Sequence, residues 1–168
     1  EYKKAGYGMI GTGEMGIGNT TTSSTVAAAL LDCNAIEVTG RGAGLNDRQL
    51  EHKIEVIQKA LDKYHFSSSE PFEILCTVGG LDIAGLTGLI IGGAIYKMPI
   101  VLDGVISMVA ALTAERIAPG VKDYLVPSHI SREPAAKKIM EELNLRPVID
   151  ADMALGEGTG AVMMISLL

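Results

Sequence analysis

Gly6-Tyr7-Gly8-Met9-Ile10-Gly11-Thr12-Gly13-Glu14-Met15-Gly16-Ile17-Gly18-Asn19-Thr20 is the stretch on which the fold turns. The apolar-and-glycine run at residues 6–10 reads as a strand and residues 11–18 as a glycine-rich turn. Asn19 or Thr20 then caps a small-residue helix running to residue 31, because a short polar side chain can accept an otherwise unpaired N–H of the first helical turn. Strand, loop and helix in that order form the repeating unit of a sheet with helical crossovers.

The same alternation continues outward from this stretch. A short apolar piece at residues 35–38 meets a second glycine turn at residues 39–44. Asn46 or Asp47 then opens a helix with Leu50, Ile54, Ile57 and Leu61 on its inward face. After the serine-rich connector at 67–69, residues 73–78 read equally as strand or helix, since so short a run carries no decisive period. Residues 81–96 are apolar and read as a buried helix. Asp82 and four glycines interrupt them, and the run falls short of the ~20 residues of a membrane span. Residues 99–102 form a buried strand ending at Asp103-Gly104, followed by a helix over 107–116 and a weaker strand at 124–126. Ser131 caps a charged helix reaching residue 143, with Pro134 in its first turn. Residues 148–151 make the last strand, and the turn 155–160 feeds a final apolar helix.

These elements predict a single α/β domain over 1–168: a doubly wound, mostly parallel sheet with helices on both faces, Rossmann-like and three-layered. Such sheets bind ligands beyond the carboxyl ends of their strands, and the turns after Ile10, Leu102 and Ala151 fall there.

Composition narrows the function. The 168 residues are 48% hydrophobic with 20 glycines, two phenylalanines and no tryptophan, so the core is aliphatic and the turns carry unusual backbone conformations. A net charge of −6 offers no basic field for nucleic acid. Cys33 and Cys76 lie far apart, and His52, His65 and His129 have no metal-ligand spacing, so neither a zinc site nor a disulfide framework is expected. The thiols read as buried, free and reduced, and the histidines as surface or core residues. The absence of an initiator Met and the apolar final residues read as a chain cut at both ends.

Gly11-x-Gly13-x-x-Gly16 fits the dinucleotide fingerprint, with Glu37 about 20 residues downstream, so an NAD-binding oxidoreductase is one reading. Against it, Glu14 sits where a pyrophosphate must approach. Two unit charges at ~4 Å repel by roughly 4 kcal/mol at an effective dielectric near 20. That reading also leaves the second Gly-Glu-Gly turn, at 156–158, without a purpose. Glycine neighbours leave the carboxylates of Glu14 and Glu157 approachable. A helix N-terminus favours their ionised form, while burial under a substrate opposes it, a balance suited to a general base. Either glutamate also serves, on structural grounds alone, as a charge partner of its helix. Arg41 and Lys53 read either as solvated charges or as phosphate ligands acting with the amides of the glycine turn.

Gly13-Glu14-Met15-Gly16-Ile17-Gly18-Asn19-Thr20-Thr21 resembles a signature of the nicotinate-nucleotide:dimethylbenzimidazole phosphoribosyltransferases. The resemblance continues in order through Thr39-Gly40-Arg41-Gly42, Val78-Gly79-Gly80-Leu81-Asp82-Ile83-Ala84, Leu102-Asp103-Gly104 and Leu155-Gly156-Glu157-Gly158-Thr159-Gly160-Ala161. It implies transfer of phosphoribosyl from nicotinate mononucleotide to dimethylbenzimidazole, giving alpha-ribazole phosphate for the cobalamin lower ligand and releasing nicotinate. Glu157 is then the proton acceptor and Glu14 the second acidic group. Gly16, Gly42, Lys53, Gly104 and Ser131 bind the phosphate, with Arg41 a further candidate. Met15, Leu155 and Asp103 belong to the base or nicotinate pocket. The resemblance calls for no metal or cofactor and implies a cytoplasmic homodimer at full length. It also makes this chain a C-terminal fragment lacking much of the aromatic-base pocket, so a non-catalytic binding or assembly module is the remaining alternative.

Overall fold

The computed structural model describes residues 1–153 and 155–168. Three short strands form one parallel sheet in the order β1 (Ile10–Gly11), β2 (Ile100–Leu102), β3 (Leu125–Pro127). Ile10 lies opposite Ile100, and Ile100 opposite Leu125. Successive strand residues face opposite sides, and β2 shows what each side buries. Ile100 and Leu102 join a large aliphatic core with Val26, Ile83, Ile90, Met108, Leu112 and Ile139. Val101 instead packs with Ala161 and Met164 in a smaller cluster. Helices therefore cover both faces of the α/β sheet.

The core helices are α1 (Asn19–Leu31), α4 (Leu81–Ile95), α5 (Val105–Ile117) and α6 (Pro134–Leu143); α7 (Thr159–Ile165) lies on the opposite face. The helix α2 (Asp47–Tyr64) starts as its sequence predicts. The Asn46 side chain accepts from the Gln49 N–H, and Gln49 reciprocates to the Asn46 N–H, which satisfies two otherwise unpaired donors. Its inward face is carried chiefly by Ile57, which is fully buried, with Leu50, Ile54 and Leu61 half-buried. Among the described residues, no helix is long and apolar enough to cross a membrane.

Several elements differ from the sequence reading, each for a local reason. The ambiguous residues 73–78 lie within the helix α3 (Pro71–Val78), which Pro71 starts with a φ already suited to it. The run at 6–10 contributes only Ile10 to the sheet. Residues 148–151 are not a strand, and Ile149 makes a single bridge to His129. Residues 81–96 do form a helix, but only one side is buried, with Leu81 93% exposed. Neither Asn19 nor Thr20 caps α1. Gly18, at φ 84°, occupies that position, and the Asn19 amide turns to Glu14 instead. Ser131 does not cap α6 either. Pro134 disfavours helical geometry in the residue before it, so Glu133 takes the cap position in extended conformation.

Candidate active site

The carboxyl ends of the strands are locked together by Thr12, which is buried where β1 gives way to the first glycine turn. Its hydroxyl lies 3.0 Å from the Val101 carbonyl and 2.9 Å from Ser107 Oγ, and accepts from the Asp103 N–H at 3.1 Å. One side chain thus fixes the ends of β1 and β2 against the start of α5.

Asp103, directly after β2 and 2% exposed, fixes the second glutamate turn. Its two carboxylate oxygens accept the N–H of Gly158 at 2.9 Å and of Gly160 at 2.8 Å. These are donors at the start of α7, left unpaired by the helix itself. Gly160 is also pressed against its surroundings: a Cβ there would collide with His129 Nδ1 and lie 2.8 Å from Ser128 Oγ. The two glycine turns touch backbone to backbone, because a Cβ on Gly13 would lie 2.7 Å from both Cα and N of Gly158.

Gly156, Glu157 and Gly158 all have left-handed backbones, with φ of 81°, 58° and 85°. For a glutamate this conformation costs roughly 1–2 kcal/mol. The turn holds the exposed Glu157 in it between two residues that carry no such penalty. Glu14, half-buried in the facing turn, accepts a hydrogen bond from the Asn19 amide. Its carboxyl is raised above the ordinary value, first by burial and then by the charges of Asp82, Asp103 and Glu157. The two glutamates therefore feel each other across the contact of the two turns.

A second group of residues assembles beside the start of α1. Lys53 is buried, and its ammonium donates to Thr20 Oγ1 and to the Gly40 carbonyl, both at 3.0 Å. Burial lowers its pKa, and the charge of Glu133 opposes that shift. The Gly42 N–H donates to Glu133 Oε1 at 2.9 Å. Ser131 lies two residues before Glu133, its hydroxyl accepting the Glu133 N–H at 3.4 Å. Arg132 forks onto Asp152, which ties this loop to the segment leading into the Glu157 turn.

Of the residues singled out from the sequence, the fold gathers Glu14 and Glu157 at one place. Gly42 and Lys53 stand at another, with Ser131 on the neighbouring loop. Gly16 packs beside the Glu14 partner Asn19: a Cβ there would be 3.3 Å from Asn19 Nδ2 and 3.6 Å from Asp82 Oδ2. Gly104 precedes α5 next to Asp103. Arg41 is turned outward, its guanidinium engaged by Asp47 and the Leu45 carbonyl. Met15 and Leu155 project into solvent at 82% and 73% exposure, accompanied by Ile17 and Leu81. Asp103 stands beneath the turn, both of its oxygens committed to backbone amides. Sequence reasoning passed over Thr12, Asp82 and Glu133. Asp82 was visible inside the matching segment 78–84, but nothing local marked the other two.

A family model described as Phosphoribosyltransferase (DBI_PRT) matches residues 1–168. The nicotinate-nucleotide:dimethylbenzimidazole phosphoribosyltransferase of Acetivibrio thermocellus is 48% identical over 163 residues, covering 97% of this chain and 46% of that protein. The protein of the same name from Clostridium acetobutylicum is 48% identical over 167 residues, covering 99% and 47%. A crystal structure of CobT from Thermus thermophilus superposes with a TM-score of 0.94 at 39% identity, over 99% of this chain and 50% of that one. The chain spans about half the length of the relatives it matches.

Proposed function

The chain belongs to the nicotinate-nucleotide:dimethylbenzimidazole phosphoribosyltransferase family, and from that premise we propose that the full-length protein moves phosphoribosyl from nicotinate mononucleotide to dimethylbenzimidazole. One ring nitrogen of the base attacks ribose C1′ while the bond from C1′ to nicotinate breaks. Nicotinate leaves with the bonding pair, which neutralises its ring nitrogen. The proton on the second nitrogen of the base passes to Glu157, the general base. Attack opposite the leaving group converts a beta linkage into the alpha linkage of alpha-ribazole phosphate.

The observation that carries this reading is the meeting of Glu14 and Glu157 through two turns in backbone contact, one of them anchored by Asp103. Positive charge that moves from the nicotinate ring nitrogen onto the ribose relieves the carboxylate repulsion which, after burial, raises the Glu14 carboxyl. The acidic cluster therefore stabilises the transition state more than the bound substrate. Lys53, Gly42 and Ser131 supply a cation, an amide and a hydroxyl for the substrate phosphate, and the family resemblance adds Gly16 and Gly104. Met15 and Leu155 offer apolar surface to the aromatic base. In this proposal the working protein is a cytoplasmic homodimer in which residues 1–168 form one α/β domain, with no nucleic-acid or membrane partner.

Glu157→Gln keeps the side chain's shape and removes its basicity. Turnover of the full-length enzyme should fall about 10²- to 10⁴-fold, the usual contribution of a general base. Undiminished turnover would sink the assignment of Glu157. In calorimetry, binding of nicotinate mononucleotide without NAD supports the transferase over the dinucleotide reading, and tighter binding of NAD reverses it.

A further inference from the structure

The residues proposed above for the substrate phosphate already face an anion, and it belongs to the protein. Glu133 Oε1 accepts the Gly42 N–H at 2.9 Å, and the Glu133 charge acts on the buried Lys53 ammonium. Both carboxylate oxygens lie so close over Gly40 that any side chain there would collide with them. The carboxylate therefore sits down against the backbone of the turn. Glu133 reaches this turn from the loop before α6, 91 residues away in sequence from Gly42. At the α6 cap position its side chain makes no capping hydrogen bond.

We propose that Glu133 is a displaceable occupant of the phosphate cradle, whose carboxylate satisfies the Gly42 amide and faces Lys53 in the empty enzyme and gives way when a phosphate monoester binds. A dianionic phosphate and this carboxylate cannot share one amide donor and one ammonium group without strong mutual repulsion. Entry of the substrate thus exchanges one anion for another rather than filling a bare cationic hole. The exchange keeps Lys53 from being left buried without an anion nearby, and it lowers affinity for the phosphate by the cost of releasing Glu133. Nucleosides without a phosphate leave Glu133 where it is.

This inference rests on the transferase reading, and the experiment separates the two. Nicotinate mononucleotide, its dephosphorylated nucleoside and inorganic phosphate are titrated calorimetrically into the full-length enzyme and its Glu133→Gln and Glu133→Ala variants. The glutamine keeps a neutral acceptor for Gly42, and melting curves confirm that each variant is folded. Replacing a charge-assisted contact with a neutral one should tighten mononucleotide and phosphate binding by about 5- to 10-fold and leave the nucleoside unchanged. Equal or weaker binding of the mononucleotide by both variants, with the wild type binding it normally, overturns the proposal and makes Glu133 a prop for the turn. If the wild type fails to distinguish mononucleotide from nucleoside, the phosphate site itself is wrong, and the proposal falls with it.

Discussion

Replacing Asp103 with asparagine keeps the side chain's shape and removes its charge, and the structure says where the effect must appear. Both aspartate oxygens are spent on the N–H groups of Gly158 and Gly160, at 2.9 and 2.8 Å. An asparagine offers one oxygen and one NH₂, so in either orientation one of these buried donors meets another donor. The lost bond to a charged acceptor is worth about 1.5–3 kcal/mol, and the surviving bond weakens toward the ~1 kcal/mol of a neutral pair. Relief of the repulsion with Glu14 returns part of this, leaving a cost of roughly 2–4 kcal/mol to the closed turn. At tenfold per 1.4 kcal/mol, the Gly158 and Gly160 amides should exchange with solvent about 30- to 1,000-fold faster. Amides of the central α5 helix should change much less. Amide exchange followed by NMR reads both sets in one sample. Unaltered exchange at the two glycines would refute the assignment of Asp103 as the anchor of the Glu157 turn. An equal rise throughout the chain would instead make Asp103 a support of the whole fold.

Gly13→Ala places a methyl carbon 2.7 Å from the Gly158 backbone, which has no side chain to swing aside. We expect a loss of about 1–3 kcal/mol in urea unfolding together with a fall in turnover, and unchanged values of both would show that the turns are not in contact. Glu157→Gly removes the left-handed strain at the cost of greater freedom in the unfolded chain. It should gain up to about 1 kcal/mol in stability while abolishing activity; a less stable variant contradicts the strain argument. Glu14 has a raised carboxyl pKa, so the folded protein keeps this proton at pH values where the unfolded chain has lost it. Its contribution to stability is full below the ordinary carboxylate value and is lost as pH rises through the raised one. Glu14→Gln should therefore gain in melting temperature over the wild type across that window, and a difference that does not vary with pH would count against it.

What was legible in the sequence was whatever is decided by near neighbours. Asn46 with Gln49 announces the start of α2, and the apolar residues before Asp103-Gly104 announce β2. The two Gly-Glu turns announce themselves by composition. The strand expected at 148–151 failed for the opposite reason. Its apolar residues fit a strand, but the segment after β3 offers Ile149 only a single bridge at His129, and pairing is a property of the partner. The cap of α1 was misplaced because Asn19 has a competing acceptor in Glu14 that propensity does not include. The role of Asp103 was out of reach, since its partners lie 55 and 57 residues away. Glu133 was hidden in the same way.

The contact between Gly13 and Gly158 also sets a schedule for the chain as it is made. The first glycine turn is made well ahead of its packing partner, which follows only after α1 through α6 have been synthesised. At 5–20 residues per second, that delay is on the order of ten seconds. Throughout this interval Glu14 stands without Glu157, and the Asp103 carboxylate waits beside β2 without its two amides. A nascent chain thus carries its first glutamate turn and most of its core helices before the Glu157 turn exists, and synthesis stopped ahead of residue 158 would leave Asp103 without the two amides it anchors.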